Sequence, residues 1–334
     1  MLRVYRDEDA DLTTLEGKRV AVIGYGNQGR AQGLNLRDSA IDVVVGSIRD
    51  ASAERARADG FAVASIAETA AGADVVMLLI PDEVQRDVYD RELSQTLQGG
   101  NTLVFAHGYN VRFRLIKPPD DVDVVMLAPR MIGKVVRDLF VSGSGAVAYV
   151  GVHQDPSGNA MATALALAKG IGATRSAVIE QSFAEETELD LVMEQAVDSA
   201  LHQVLVTAYE GLVEAGFAPE VVAMELYASR ELAETMKEMA EVGFFEQMRL
   251  HSQTSQYGSL AYAESVLPTE HYRQQIRQRL SAVRSGEFAR EWAEEERGGY
   301  KRFNQLRDAA LAHPLNDTER RLRAMTADEN AADT

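Results

Sequence analysis

Two acidic side chains in the second half of the chain have the spacing of a metal site. In the run EETELDLVMEQ, Asp190 and Glu194 are four residues apart, with apolar residues beside them. On a helix they share one face, with Cβ atoms about 5–6 Å apart, and they repel unless a cation or solvent lies between them. Oxygen ligands alone favour Mg²⁺ or Mn²⁺. A solvated acidic helix face explains the same spacing without a metal, so both interpretations stay open at this point.

Three glycines near the start of the chain form a second candidate site. Gly24, Gly26 and Gly29 make the pattern G-x-G-x-x-G, directly after the apolar run KRVAVI and directly before a helical pattern. The first glycine allows a tight turn, the second lets the backbone approach a pyrophosphate, and the third lets helix and strand pack closely. The free N–H groups of the helix then face the phosphates. This context predicts a dinucleotide site rather than a turn with structural glycines only.

The end of the next strand bears on which dinucleotide is bound. NAD sites place Asp or Glu at this strand end for the ribose 2′-hydroxyl, whereas this strand ends at Gly46. Arg49 and Ser52 follow, and both types of side chain are suited to a phosphate. NADPH is therefore favoured, although Asp50 offers an acid for the ribose and Arg49 could be a solvated loop cation.

A histidine lies at another strand end. His107, in the run FAHGYN, comes just before a glycine, where open α/β sheets place residues that contact ligands. A hydrogen-bonded loop histidine is the structural alternative.

The elements that would position these residues fall into two kinds. Apolar, β-branched runs alternate with helical patterns in the first half, which predicts βαβ units and a parallel sheet buried on both faces. Further along, helical patterns dominate. We therefore predict a Rossmann-type, doubly wound α/β domain over residues 1–181 and an all-helical domain over residues 182–326. The acidic tail at residues 327–334 is expected to be disordered.

Composition narrows the class of protein. The 334 residues include no cysteine, which excludes a disulfide scaffold, a thiolate metal site and a cysteine nucleophile. The formal net charge of −17 disfavours a nucleic-acid partner. The start of the chain is charged and lacks the apolar segment of a signal peptide, and the apolar run ADVVMLLIP is too short to span a bilayer. We therefore expect a cytoplasmic protein that does not enter a membrane.

Several longer blocks carry a resemblance to a known family. The chain resembles the short, class I form of ketol-acid reductoisomerase in the blocks GYGNQGRAQGLNLRDS, PDEVQ, FAHGYN, VIEQSFAEETELDL, GLVEAGFAPE and GEFAREW. The resemblance implies an N-terminal NADPH-binding domain and a knotted helical domain that intertwines two subunits, hence a homodimer or larger homo-oligomer. It also implies two Mg²⁺ ions, which promote an alkyl shift in a 2-hydroxy-2-alkyl-3-keto acid before NADPH reduces the product.

The family's site residues carry over to numbered positions of this sequence. The resemblance implies metal ligands at Asp190, Glu194 and Glu225, and further catalytic or substrate-binding residues at His107, Arg130 and Ser252. It implies cofactor-binding residues at Gly24, Tyr25, Gly26, Asn27, Gln28, Gly29, Arg49, Ser52, Asp82, Gln85 and Gly133.

Four positions depart from the family pattern, and all belong to the chemical site. Ser229 stands where the family has a second glutamate, four residues after Glu225. Arg130 replaces a lysine, Arg112 a histidine and Gln256 an acidic residue. The pocket is thereby less anionic and less suited to two divalent ions, so Mg²⁺ is in doubt. Arginine also differs from lysine in geometry, since its guanidinium is a planar fork.

These departures favour one function without excluding two others. We predict an NADPH-dependent reductase that acts on a small 2-keto acid or imine, with alkyl migration weakened or lost. For an imine, Asp190 or Glu194 would donate the proton. The alternative is a Mg²⁺-dependent ketol-acid reductoisomerase that converts 2-acetolactate to 2,3-dihydroxyisovalerate, with Glu231 or Glu234 replacing the missing ligand. A non-catalytic NADPH-binding protein is the second alternative.

Overall fold

The computed structural model describes residues 2–326, and the tail predicted to be disordered lies outside the described residues. The chain divides into two compact units, residues 1–189 and 190–334. This division falls inside the helix Phe183–Val192. The domain boundary after residue 181 stays a prediction.

The first unit is built around a mixed sheet. Its strands occur in the spatial order β1-β9-β8-β7-β6-β5-β2-β3-β4. The strands are β1 Val4–Tyr5, β2 Arg19–Ile23, β3 Asp42–Gly46, β4 Val63–Ala64, β5 Val75–Leu78, β6 Thr102–Phe105, β7 Asp123–Pro129, β8 Ala148–Gln154 and β9 Val178–Glu180.

Six neighbouring strands form the Rossmann-type part of the sheet, in the spatial order β7-β6-β5-β2-β3-β4. They are parallel, and the chain direction across the sheet reverses between β2 and β5, which is where such sheets bind ligands. The predicted doubly wound fold is confirmed. The expectation of an entirely parallel sheet is wrong, because β8 runs antiparallel to β7 and β1 antiparallel to β9. Apolar runs reveal burial of a strand and not its direction.

Both faces of this sheet are buried. Along β2, Val20 and Val22 belong to one apolar cluster, whereas Ala21 and Ile23 belong to another on the opposite face. Side chains alternate along a strand, so a continuous apolar run is what a doubly covered sheet requires. The helices of this unit are α1 Asn27–Asp38, α2 Ala51–Ala58, α3 Ile66–Ala71, α4 Asp82–Val88, α5 Tyr109–Arg112, α6 Gly133–Val141, α7 Ala160–Gly170 and α8 Phe183–Val192.

The second unit is helical in its described part, as predicted. Its small core joins Tyr209, Val222, Ala223 and Leu322, and the Tyr209 hydroxyl lies 2.8 Å from Thr318 Oγ1. No helix among residues 2–326 is both long and apolar enough to cross a membrane. The helices of this unit are α9 Ser199–Glu214, α10 Pro219–Ala223, α11 Glu231–Val242, α12 Gln253–Val266, α13 Thr269–Arg284, α14 Glu287–Arg297, α15 Lys301–Leu311 and α16 Pro314–Thr326.

Two π-helical segments interrupt the helical run. Met193–Asp198 separates α8 from α9, and Met224–Ala228 follows α10. The sequence pattern predicts one continuous helix through ELYASRELAETMKEMAE, and this prediction is wrong. The run breaks at Arg230, whose φ of 70° is left-handed, while the Ser229 hydroxyl accepts the Glu231 N–H at 3.4 Å. Serine competes with helical hydrogen bonding in this way, and the break needs no glycine.

Candidate active site

The glycine-rich turn lies at the switch point of the sheet, after β2. A Cβ on Gly29 would lie 2.0 Å from the Gly24 carbonyl oxygen, and a Cβ on Gly24 would lie 2.4 Å from Ile80 Cγ2. Gly24 also has a φ of 91°, which favours glycine. By contrast, a Cβ on Gly26 would meet nothing within 4 Å. Gly24 and Gly29 thus allow close packing, whereas Gly26 leaves open space in front of the backbone, where a pyrophosphate would lie.

A cavity with cationic walls lies beside this turn. Its volume is about 490 Å³. Although the chain is acidic overall, four cationic side chains and one acidic side chain line the cavity, which suits an anionic ligand. The charged lining residues are Arg30, Arg55, Lys134, Arg137 and Asp138.

The structure brings together several of the residues predicted to bind the cofactor. Gly133, at the start of α6, packs so closely on α1 that a Cβ would lie 2.0 Å from the Asn27 carbonyl oxygen. The Gln28 amide donates to the Met131 carbonyl at 2.9 Å. Tyr25 differs, because its side chain is buried and its hydroxyl donates to Asp59 at 3.0 Å. Its side chain therefore serves the core.

The loop after β3 holds the residues predicted to select the cofactor. Asp50 caps α2 by accepting the Ala53 N–H at 3.0 Å, and the Ser52 hydroxyl donates to the same carboxylate at 2.6 Å. The Ser52 hydrogen bond, with the cap, lowers the pKa of Asp50. Arg49 is exposed beside it. Asp50 thus has a structural role as a helix cap, and Arg49 is the exposed cation of the loop.

Asp82 and Gln85 belong to a network between α4 and α5. The Gln85 amide donates to Asp82 Oδ1 at 3.1 Å, and the Asn110 amide donates to Gln85 Oε1 at 3.0 Å. His107 joins this network, with Nε2 3.8 Å from Asp82 Oδ2. The ends of β5 and β6 are therefore fixed to each other by side chains.

A buried carboxylate lies at the centre of the strand-end site. The Glu186 side chain has no exposure, yet three groups surround it. His107 Nδ1 is 3.0 Å away, the Gly108 N–H donates at 2.8 Å, and Arg130 Nη1 donates at 3.1 Å. Because ionised Glu186 only accepts hydrogen bonds, His107 Nδ1 carries a proton in this arrangement. The contact with Arg130 compensates the buried charge.

Sequence reasoning did not select Glu186. It lies in the same acidic run as Asp190 and looks like a solvated position. One signal was available: Ser182 and Glu185 form a capping box, with the Ser182 hydroxyl accepting the Glu185 N–H at 3.1 Å and the Glu185 carboxylate accepting the Ser182 N–H at 3.1 Å. This box begins α8 and thus sets which acid of the run faces the sheet.

Asp190 lies one turn beyond Glu186 on the same helix. Ligand atoms of His107, Glu186 and Asp190 all lie within 4.8 Å of one another, an arrangement that could hold a metal ion. Arg112 also contacts α8, where its Nη2 donates to Glu188 Oε1 at 3.2 Å. The acids of this run thus differ in role: Glu185 caps the helix, Glu186 is buried at the strand ends, and Glu188 pairs with Arg112. Their spacing in the sequence does not distinguish these roles.

The other predicted ligands lie on the π-helical segments of the second unit. Glu194 belongs to Met193–Asp198, so it does not continue the regular α-helical register from Asp190 that the spacing implies. Glu225 belongs to Met224–Ala228, and both acids are exposed. Such segments occur frequently at functional sites because they change where a side chain points.

Ser252 and Gln256 lie at the start of α12. The Ser252 hydroxyl caps the helix by accepting the Ser255 N–H at 3.2 Å. The Gln256 amide donates to the His251 carbonyl at 2.8 Å, and His251 Nε2 lies 3.0 Å from Gln247 Oε1. Gln256 therefore stabilises this turn through its N–H₂ group, which an acidic residue at the same position lacks.

Comparison with known proteins agrees with these features. The family model "Acetohydroxy acid isomeroreductase, NADPH-binding domain" matches residues 14–177, and "Ketol-acid reductoisomerase, C-terminal domain" matches residues 183–328. A ketol-acid reductoisomerase (NADP(+)) from Pyrobaculum calidifontis is 46% identical over 94% of this chain and 96% of its own length. One from Methanopyrus kandleri is 44% identical over 99% of this chain and 100% of its own.

A solved structure extends the agreement to three dimensions. The NADH-preferring ketol-acid reductoisomerase from an uncultured archean superposes with a TM-score of 0.93 at 35% identity, and the match covers 98% of this chain and 100% of that one. The resemblance predicted from the sequence is confirmed, as are an oxidoreductase of the NAD(P)H-dependent class and an N-terminal NADPH-binding domain. The chain belongs to the ketol-acid reductoisomerase family.

Proposed function

We propose that the chain is a ketol-acid reductoisomerase that uses NADPH and a divalent cation to convert 2-acetolactate to 2,3-dihydroxyisovalerate. The observation that carries the proposal is that Asp190 lies close to the fixed pair of His107 and Glu186, in a chain whose dinucleotide turn is intact. Identity of 42–46% to named ketol-acid reductoisomerases over nearly the whole chain supports it and makes this reading stronger than a reductase without isomerase activity.

The loop after β3 supports NADPH as the cofactor. Asp50 is committed to capping α2, so it is poorly placed to accept a ribose hydroxyl, and the exposed Arg49 supplies a cation for a 2′-phosphate. A solved relative is described as NADH-preferring, so this choice differs between family members and depends on local residues.

Oxygen ligands would hold the cation. Asp190, Glu194 and Glu225 are the residues we assign to it, and carboxylates are the donors that Mg²⁺ prefers. Bound there, Mg²⁺ would polarise the carbonyl and alkoxide oxygens of the substrate. The chain itself orients the reacting groups: Glu186 fixes the His107 ring through Nδ1, which leaves Nε2 as the atom that exchanges a proton.

A second candidate has an observation of its own. Ser229 is exposed at the end of a π-helical segment, and it stands where the family has a glutamate. Glu231 and Glu234 lie beyond the break at Arg230, on α11, rather than on the helix turn that carries Glu225. A chain with one ligand fewer would keep hydride transfer and lose alkyl migration, which gives a reductase of small 2-keto acids or imines.

Two substrates separate these functions. The purified protein is given NADPH and Mg²⁺ with either 2-acetolactate or 3-hydroxy-3-methyl-2-oxobutanoate, the rearranged 2-keto acid. NADPH oxidation with both compounds supports the isomeroreductase. Oxidation with the rearranged acid alone overturns it in favour of the reductase. Tight NADPH binding without oxidation of NADPH by these acids or a panel of imines identifies a non-catalytic protein.

The assembly belongs to the same proposal. Tyr257, Leu260 and Phe245 of the second unit are 70%, 61% and 70% exposed, which is unusual for apolar side chains of this size. We expect two chains to cover these side chains in a homodimer or larger oligomer, with a helical domain beginning at residue 182. Light scattering of the purified protein gives the mass, and a monomer would contradict this part of the proposal.

A further inference from the structure

Arg130 lies over the ring of a tyrosine from the neighbouring strand. It follows the last residue of β7, and its N–H donates to the Val147 carbonyl at 2.8 Å. Tyr149 is two residues further along β8, so it lies on the same face of the sheet, diagonal to Arg130 and within reach of a long side chain. The Arg130 Cζ atom lies 5.0 Å from the centre of the Tyr149 ring. At this distance the ring attracts the cation.

The edge of the same guanidinium is held by Glu186. Arg130 Nη1 donates to Glu186 Oε1 at 3.1 Å, and the Glu186 side chain has no exposure, whereas that of Arg130 is 31% exposed. Glu186 is in turn fixed by the Gly108 N–H and by His107. The Tyr149 ring therefore lies against the central carbon of the guanidinium, and Glu186 accepts a hydrogen bond from its Nη1.

We propose that Tyr149 is a positioning residue that adapts this site to arginine. This inference rests on the proposed function, and it gives Arg130, one of the catalytic or substrate-binding residues that the resemblance implies, a contact with the carboxylate of the 2-keto acid. A planar fork binds a carboxylate with two parallel hydrogen bonds only when its plane is fixed. A lysine ammonium has no plane to fix, so the tyrosine benefits an arginine at position 130 and gives little to a lysine.

A purely structural role for Tyr149 makes a different prediction. The residue is partly buried and packs against the core cluster of the face that contains Phe105 and Met126. If filling space were its only task, any apolar side chain of similar size would serve equally, and the effect of replacing it would not depend on the residue at position 130. The two roles therefore separate in a double-mutant cycle.

The experiment measures kcat and KM for 3-hydroxy-3-methyl-2-oxobutanoate in Tyr149→Leu, Tyr149→Phe, Arg130→Lys and Tyr149→Leu/Arg130→Lys, with thermal unfolding of each. We expect Tyr149→Leu to raise KM for the acid about tenfold while KM for NADPH stays constant, since a fork that is no longer aligned loses one of its two charge-assisted hydrogen bonds to the carboxylate. Tyr149→Phe keeps the ring face and should restore most of the affinity. In the Arg130→Lys background, Tyr149→Leu should change KM less than about twofold.

A matched control removes an equivalent contact elsewhere. Arg175 Cζ lies 4.4 Å from the centre of the Phe140 ring, which is outside the strand-end site, so Phe140→Leu should leave KM for the acid unaltered. If Tyr149→Leu does not fold, Tyr149→Met takes its place. Equal KM values for Tyr149→Leu and the unaltered chain, or additive effects in the double variant, would overturn the inference.

Failure of the proposed function gives a distinct result. If the unaltered chain oxidises no NADPH with either acid, the proposed function fails. The same variants are then compared by calorimetric binding of 2-oxoisovalerate to the NADPH complex. Loss of that binding in Tyr149→Leu with recovery in Tyr149→Phe supports the positioning role, and binding unaffected by the ring overturns it.

Discussion

Glu186 and Glu225 are acids in opposite environments. Glu186 is fully buried and surrounded by an imidazole, a backbone N–H and a guanidinium, whereas Glu225 is exposed on a π-helical segment. The chain itself orients a buried acid before any ligand arrives, because desolvation makes an unpaired charge costly. An exposed acid takes its position from what it binds. Substitutions should therefore alter stability at the first residue and ligand dependence at the second.

The largest expected effect tests this contrast directly. Glu186→Ala should lower the free energy of unfolding by about 3 kcal/mol, because it leaves the Arg130 charge and the Gly108 N–H without their acceptor. Partial exposure of Arg130 keeps the loss at the lower end of the range for buried pairs. Glu225→Ala should change the same quantity by less than about 0.5 kcal/mol. Urea denaturation measures both, and similar losses for the two variants would refute the comparison.

The glycine-rich turn contains the same contrast within six residues. Gly26→Ala adds a methyl group into open space, so the melting temperature should stay constant while the Kd for NADPH rises at least about tenfold. Gly29→Ala places a Cβ against the backbone, so it should also destabilise the fold by about 1–3 kcal/mol. Fluorescence titration and thermal unfolding measure the two effects. A drop in melting temperature for Gly26→Ala would show that this glycine is needed for packing.

Adding an acid near the exposed Glu225 tests whether exposed acids there bind a cation. Ser229→Glu should raise the apparent affinity for Mg²⁺ about fivefold, measured as the Mg²⁺ dependence of NADPH oxidation with 2-acetolactate, because it adds one charged ligand. The melting temperature should change little, since Ser229 is exposed. Ser229→Gln is the matched control, with similar size and no charge. Equal Mg²⁺ dependence in both variants would mean that this position faces no cation.

The smallest expected effect concerns an acid between these extremes. The Arg30 guanidinium, which donates to Asp59 at 2.7 Å, is the main group that lowers the pKa of this carboxyl. Its contribution to stability is therefore present above the ordinary pKa of 3.8 and is lost as pH falls through the lower value in the folded protein. Asp59→Asn should cost at most about 1 kcal/mol at neutral pH, since half of the Arg30 side chain is exposed.

Unfolding curves at neutral and acid pH check this prediction. The difference between Asp59→Asn and the unaltered chain should shrink as the pH falls below 4. Arg30→Gln should show the same pH dependence, because it removes the other half of the pair. A difference that is constant across pH would assign the stabilisation to packing of Tyr25 on Asp59 instead.

Local patterns predicted those parts of the molecule whose cause is local. The spacing of Gly24, Gly26 and Gly29 after an apolar run predicts their turn, in which Gly24 and Gly29 leave no room for a Cβ, and apolar runs between helical patterns predict the buried strands. The antiparallel direction of β8 could not be predicted, since a buried strand has the same apolar run whether it is parallel or antiparallel to its neighbour. His107 was recognisable from its place at a strand end. Glu186 was not, because its burial depends on contacts with a loop 78 residues away in the chain.

The helical half was predictable in kind and not in detail. An α-helix and a π-helical segment bury similar faces over one turn, so the apolar pattern gave no sign of Met193–Asp198. The break at Arg230 could not be predicted either, because no glycine or proline marks it. The Ser229 hydroxyl accepts the Glu231 N–H there instead. Ser229, one of the residues that depart from the family pattern, lies at the second of these irregularities.

The π-helical segment Met193–Asp198 has a consequence for how this chain can change in length. One π turn holds an extra residue within an otherwise regular helix. Removing a single residue there would restore α-helical geometry through the segment. The two acids of the segment, Glu194 and Asp198, would change position. The segment is thus a place where a one-residue deletion moves acidic side chains without interrupting the helix.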